Sequence, residues 1–281
     1  MSLAPASRSA APLFVVAAPR SGGRQLAHWL GGEPVSGTRW LDLIDRVRSA
    51  RGVAMQDTSD RWTLADARAD AAWLVPAVRQ VIAASAAASA TIEFAPASLL
   101  RVAALAEWFP EARFVFLYRD VREAVALLLE AWQQGRATHP SGVQLPSGLR
   151  WSFTLPPGWS AQCRKPLVEI VAWQWASSLR IGLDALAELD AGRWCVSSYD
   201  RLLHDPDGEA RRIGDFLGRD LCPATPRSVR FAPPDRTSPD ARHWARHAAA
   251  LEIAAPIVAA QAHRAVQLFA TAPETRIPAR R

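Results

Sequence analysis

Two short stretches carry residue types suited to anion chemistry. Pro19-Arg20-Ser21-Gly22-Gly23-Arg24 sets two arginines around a serine and two glycines, directly after the apolar run Leu13–Ala18. Small residues between a buried strand and a helix aim backbone N–H groups at whatever anion sits on the helix N-terminus. Much later, Arg119-Asp120 ends a second apolar run, Arg113–Tyr118. An arginine fork binds phosphate oxygens two at a time, so the two stretches together read as a scaffold for two separated phosphate-like groups. A third run, Thr91-Ile92-Glu93-Phe94, offers a carboxylate at its end, a residue type that can accept a proton in general base catalysis. No G-x-x-x-x-G-K-[ST] pattern is present and Lys165 is the only lysine, so a Walker-type nucleotide loop is excluded.

These residues need strands to end beside one another. Leu13–Ala18 and Arg113–Tyr118 are continuous apolar runs, as expected of parallel strands covered on both faces. Thr91–Phe94 and Arg193–Ser198 supply two more strands. Between them the pattern predicts helices over Gly22–Leu30, Leu64–Ala86, Ser98–Trp108 with Ser98 as N-cap, Val121–Gln134, Pro166–Leu189, Pro206–Leu217 closed by Gly218, and Trp244–Phe269. Along Leu64–Ala86 the apolar face is read as Trp73, Val75, Val78 and Ile82. Strand–helix alternation of this kind gives an α/β fold: a three-layer, doubly wound, mostly parallel sheet. The expected organisation is a disordered lead over 1–12, one domain over 13–270 and a tail over 271–281. Within the domain, 135–165 breaks the pattern, and its Trp151, Phe153 and Trp159 among Pro and Gly read either as a lid over an acceptor or as a loop plugging the core.

Composition excludes several classes. The 281 residues are 49% hydrophobic and 21% charged, an ordinary globular balance. The net charge of +6 is carried almost wholly by scattered arginines, which argues against nucleic acid as the partner. Cys163, Cys195 and Cys222 form no CxxC pair, and His243 and His247, four residues apart, lack a third ligand, so neither a disulfide framework nor a metal is expected. No apolar run approaches the roughly 18 residues of a membrane span. A cytoplasmic chain without stable membrane insertion is the expectation, with a homodimer contact left open on the C-terminal helix.

At this point the sequence resembles the bacterial sulfotransferases that use 3′-phosphoadenosine 5′-phosphosulfate. Their first signature, roughly P-[KR]-[ST]-G-[TS]-[TS], corresponds to Pro19–Arg24. The second, an R-D-P-R-[DE] segment after a strand, corresponds to Phe109-Pro110-Glu111-Ala112-Arg113-Phe114 running into Arg119-Asp120-Val121-Arg122-Glu123. A third appears as Tyr199-Asp200-Arg201-Leu202-Leu203-His204-Asp205-Pro206 followed by Phe216-Leu217-Gly218, and Trp173-Gln174-Trp175 is similar to bacterial members as well. The resemblance implies a P-loop-like sulfotransferase fold and sulfuryl transfer to a hydroxyl or amine of a small-molecule, glycan or peptide acceptor, with no metal required. It implies that the N–H groups of Ser21, Gly22, Gly23 and Arg24 hold the 5′-phosphosulfate, that Arg20 lies beside the transferring group, that Arg119 binds the 3′-phosphate, that Tyr199 approaches the adenine edge, and that Glu93 takes the acceptor proton. The basic loop of relatives would fall on Arg236, Arg242 and Arg246 around Trp244.

The sequence departs from the pattern at several places. Gly23 and Arg24 stand where the family has hydroxyls, Leu127 where it has Ser, Phe94 where it has Lys, and Val121 where it has Pro. Three readings follow: a sulfotransferase with an altered donor cradle, a catalytically degenerate relative binding another ligand or a protein, and a nucleotide-kinase-like enzyme.

Overall fold

The computed structural model describes residues 11–31, 59–85, 92–218 and 243–271. In chain order the elements are β1 (Leu13–Ala17), α1 (Gly23–Trp29), α2 (Leu64–Ser85), β2 (Ile92–Glu93), α3 (Val102–Trp108), β3 (Arg113–Tyr118), α4 (Val121–Gln133), α5 (Leu167–Ala187), β4 (Trp194–Ser198), α6 (Tyr199–His204), α7 (Pro206–Leu217) and α8 (Ala248–Thr271). The sheet order is β2-β1-β3-β4, and every pairing is parallel.

Side chains alternate across this sheet with the two-residue period of a strand. Phe14 and Val16 of β1, with Phe114 and Phe116 of β3, face a core built by α2, α3, α4, α5 and α8. Leu13, Val15 and Ala17, with Val115 and Leu117, face α1, α6 and α7. Both faces are therefore covered, which is why β1 is buried at every residue and reads as an unbroken apolar run. The result is the expected α/β fold with helices on both sides of a parallel sheet.

Local chemistry sets where the helices start. Asp120 accepts from the Arg122 N–H at 3.0 Å to cap α4, Ser198 caps α6 through Arg201, and Asp205 caps α7 through Gly208, with Pro206 in the first turn. Gly218 closes α7 at φ 67°. Ser98 does not cap a helix as expected. Its Oγ accepts from the Ala95 N–H at 3.1 Å, and Ser98–Leu100 form a 3₁₀ turn before α3 starts at Val102. Arg101 between them is drawn away, donating to the Asp60 carbonyl and stacking 3.7 Å from the Trp62 ring centroid. On α2 the buried positions are Ala67, Asp70 and Leu74, with Trp73 and Val75 packed at their margin; the side chains of Val78 and Ile82 lie outside the described residues, as do Cys222, Arg236 and Arg242.

The segment after α4 is fastened at several points. Two isolated antiparallel bridges, Thr138 with Ser152 and Gln144 with Arg150, fold it back on itself. Trp151 is fully buried and meets Trp132 and Trp159 edge to face at 5.2 and 5.6 Å. Gln174 of α5 accepts from Trp132 Nε1 and donates to the carbonyls of Ser152 and Thr154. Asp60 accepts from the Leu155 N–H and sits 3.1 Å from His139 Nε2. Burial alone would push the Asp60 carboxyl up, but His139, Arg101 and the Leu155 N–H together hold it below the usual carboxylate value.

Candidate functional site

Three strand ends stand side by side at one rim of the sheet. β1 and β3 are neighbours with Ala17 opposite Leu117, and β3 and β4 are neighbours with Tyr118 opposite Ser198. The residues that follow are the Pro19–Gly22 turn, Arg119 and Tyr199. Because β2 lies on one side of β1 and β3 on the other, the connections leave in opposite directions between β1 and β3. That reversal opens a crevice at the carboxyl ends of the strands, the place where doubly wound sheets bind ligands.

The first wall of the crevice is the turn. Arg20 adopts φ 66° and Gly22 φ 94°, and a side chain other than glycine in that region costs on the order of 1 kcal/mol or more. Ser21 is buried, and its N–H is used within the turn, on the Ala18 carbonyl at 3.2 Å. The first helical bond runs from Leu26 N–H to Gly22 O. The N–H groups of Gly23, Arg24 and Gln25 thus precede the helix's own hydrogen bonds and form its polar end. Of the expected Ser21–Arg24 donors, the Ser21 N–H is spent within the turn, while those of Gly23 and Arg24 stand at the helix end.

The second wall is Arg119, whose residue is 6% exposed. Its Nε donates to Glu123 at 3.0 Å, and its Nη1 lies 3.4 Å from the Arg20 carbonyl. The guanidinium carbon stacks 4.1 Å from the centroid of Tyr199. Its Nη2 is buried without a hydrogen-bond partner. A buried charged donor left unmatched costs at least about 1–3 kcal/mol, so this atom marks a place built for an acceptor of hydrogen bonds. Tyr199, 2% exposed, is the backing of both walls. A Cβ on Gly22 would lie 2.6 Å from its ring, so glycine is required there by close approach as well as by φ. Desolvation raises the Tyr199 pKa, with Arg119 opposing, so the phenol stays protonated and neutral.

Charge gathers at the same rim. Partial burial, followed by the positive charges of Arg136 and Arg119, lowers the pKa of Arg20, while Glu130 acts in the opposite sense. Arg20 remains a cation, and the crowding of like charges raises the potential an anion would meet. Arg24 is exposed on the first turn of α1.

Glu93 is the last residue of β2. It pairs in register with Phe14, well short of the end of β1, while Ile92 and Phe94 on either side pack towards α1. Strand alternation therefore turns Glu93 to the other face of the sheet. Phe94 occupies the position of interest instead: a Cβ on Gly23 would lie 2.3 Å from its ring. Two departures noted in the sequence, Gly23 for a hydroxyl residue and Phe94 for Lys, are one contact. We expect Gly23→Ser to destabilise the protein by about 1–3 kcal/mol, the usual cost of overpacking. Phe94→Ala should recover most of that loss in the double variant, read as the coupling in a thermal-unfolding cycle; additive effects would mean the ring simply swings aside.

Sequence reasoning missed one pair. Glu130 of α4 accepts from His247 Nε2 at 2.8 Å, although the two are far apart in the chain and His247 reads as a surface residue. Trp244, four residues outside α8, stacks on Arg122 at 4.6 Å. Among the described residues no group of His, Cys, Asp and Glu is arranged to hold a metal ion, and no helix is long and apolar enough to cross a membrane.

Comparison with known proteins gives a consistent answer. A family model described as "Sulfotransferase family" matches residues 12–223. No curated protein sequence matches. Among solved structures, the chain is similar to the sulfotransferase STF1 from Mycobacterium tuberculosis H37Rv, with 17% identity, a TM-score of 0.50, and 89% of this chain covering 76% of that one. It is also similar to the sulfotransferase STF9 from Mycobacterium avium (18%, TM-score 0.49, 89% and 75% covered) and to the sulfotransferase domain of the Synechococcus PCC 7002 olefin synthase (18%, TM-score 0.48, 92% and 94% covered). At these identities the likeness concerns the fold.

Proposed function

This chain belongs to the sulfotransferase family, and from that premise we propose that it transfers a sulfuryl group from 3′-phosphoadenosine 5′-phosphosulfate to a hydroxyl or amine. The observation that carries the reading is the buried guanidinium of Arg119, held by Glu123, Tyr199 and the Arg20 carbonyl with Nη2 left over. Arg119 takes the 3′-phosphate, and Tyr199, behind it, lies towards the adenine edge. Gly23, Arg24 and Gln25 offer N–H groups to the 5′-phosphosulfate, with Ser21 and Gly22 shaping the turn and Arg20 beside the transferring sulfur.

The chemistry suits such a site. In an in-line displacement negative charge builds on the bridging oxygen of the leaving phosphate, and fixed cations and N–H dipoles aimed there stabilise it without reorganising. Positioning and electrostatics supply most of the acceleration, as in phosphoryl transfer. Gly23 offers its N–H without the hydroxyl of the family pattern, and the charge of Arg20 and Arg24 compensates for that lost donor.

The test is a calorimetric titration of the purified full chain with adenosine 3′,5′-bisphosphate, the donor without its sulfuryl group. Micromolar binding is expected, and ligand at a hundred times its dissociation constant should stabilise the fold by about 2.7 kcal/mol, seen as a raised Tm. Absence of binding at millimolar ligand overturns the reading and leaves the fold serving another ligand or partner.

A further inference from the structure

We propose that Ser141, His139 and Asp60 form a second reactive centre, a nucleophile, base and orienting carboxylate that cleave activated carboxylic esters independently of the strand-end crevice. His139 and Ser141 lie on the segment between α4 and α5, and Asp60 on the stretch before α2. His139 Nδ1 is 2.8 Å from Ser141 Oγ, and its Nε2 is 3.1 Å from Asp60 Oδ1. A third bond fixes the direction of both. The Ser141 N–H donates to Nδ1 at 3.1 Å, so the ring proton belongs on Nε2, where Asp60 accepts it. Nδ1 therefore keeps its lone pair on the side of the Ser141 hydroxyl. Hydroxyl to imidazole and imidazole to carboxylate is the order in which a serine nucleophile is activated.

The surroundings hold this order in place. Asp60 is tied to the segment twice, its Oδ2 accepting from the Leu155 N–H and its own N–H donating to the Leu155 carbonyl, each at 2.8 Å. The side chains of His139 and Asp60 are 15% and 13% exposed, whereas Ser141 stands open to solvent. Pro140 and Gly142 shape the turn that carries the serine, with Gly142 at φ 72° and its N–H on the His139 carbonyl. The backbone beneath is strained: Ala137 and Phe153, neither of them glycine, take φ 53° and 63° and are bonded to each other. Such positions gather at functional sites. A cation stands beside the serine as well. A Cβ on Gly142 would lie 3.9 Å from Arg150 Nη2, which places a charged donor where the ester carbonyl would turn into an oxyanion.

The reaction balances with water alone. Ser141 Oγ bonds to the carbonyl carbon as its proton passes to His139 Nδ1. The bond from that carbon to the leaving alcohol breaks, and the alcohol oxygen takes the proton from His139. Water repeats the sequence on the acylated serine, releasing the carboxylic acid and restoring the hydroxyl.

The experiment treats the purified full chain with diisopropyl fluorophosphate, locating the adduct by peptide mapping, and with 4-nitrophenyl acetate, following 4-nitrophenol. Wild type is compared with Ser141→Ala, His139→Gln, Asp60→Asn and Arg150→Gln, with Tm as the control for folding. We expect the phosphoryl adduct on Ser141 and a burst of one 4-nitrophenol per chain that Ser141→Ala abolishes. Loss of general base catalysis is worth on the order of 10²-fold, and Ser141 labelling should slow by that factor in His139→Gln and Asp60→Asn. Arg150→Gln should slow it about tenfold. Ser141 and Arg150 are exposed, so their variants keep the fold and the test stands even where His139→Gln melts early. An adduct elsewhere in the chain, or none, overturns the proposal. So does equal labelling of Ser141 in wild type, Asp60→Asn and Arg150→Gln, which would reduce the three side chains to a fastening of the turn. Binding of adenosine 3′,5′-bisphosphate should be the same in every variant, because this centre shares no residue with the crevice.

Discussion

Arg119→Ala should abolish micromolar binding of adenosine 3′,5′-bisphosphate. Hydrogen bonds to a charged partner contribute about 1.5–3 kcal/mol each, and a bidentate fork makes two, so affinity should fall by roughly 10²–10⁴-fold. The same side chain is also structural: it bonds Glu123, abuts the Arg20 carbonyl and stacks on Tyr199. The alanine variant must therefore be paired with a second one. Arg119→Lys keeps the charge but loses the planar fork, and should retain the fold while binding at least tenfold more weakly, by calorimetry. Full affinity in Arg119→Lys would show that a point charge suffices and that the orphaned Nη2 has no role in binding. Glu123→Gln would complete the series by releasing Arg119 from its partner with the cradle's own groups intact.

The second large effect is on stability. Gln174 is fully buried and serves three groups at once, accepting from Trp132 Nε1 and donating to the carbonyls of Ser152 and Thr154. Gln174→Leu keeps much of the volume but strands all three. Each buried polar group left unmatched costs about 1–3 kcal/mol, so the loss should be about 3 kcal/mol or more. For a chain of this size that corresponds to a Tm lower by roughly 6–12 °C. Gln174→Glu is the informative companion, since a carboxylate can still accept from Trp132 but cannot donate to the two carbonyls. A Tm within a degree or two of wild type in Gln174→Leu would mean that solvent enters and satisfies the stranded groups.

Much of the scaffold was legible because its causes are local. Leu13–Ala17 and Phe114–Leu117 read as buried strand since neither face offers a polar residue to solvent, and Gly218 stops α7 because its φ of 67° favours a residue without Cβ. Ser98 misled for a local reason as well: its hydroxyl served the Ala95 N–H behind it, and Arg101 was claimed by Asp60 and Trp62. The site was legible only where a strand end announces itself, at the glycine turn and at Arg119. What Gly23 is for could not be read along the chain, because its reason is the ring of Phe94 arriving from the edge strand. The same holds for Glu130 and His247, brought together only when the turn before α8 lies down on α4.

The rim where Arg20, Arg119 and Tyr199 meet draws each residue from a different strand, and consecutive members are separated by whole βα units. On the ribosome, where segments emerge in order and at some 5–20 residues per second, the turn after β1 must wait through three further strands before its backing ring exists. Until Tyr199 arrives, Gly22 has nothing to press against and Arg119 nothing to stack on. The cradle is thus a late event in biosynthesis, and nascent chains halted before β4 should neither retain a bisphosphate resin nor resist protease at the turn, while those released after α7 should do both.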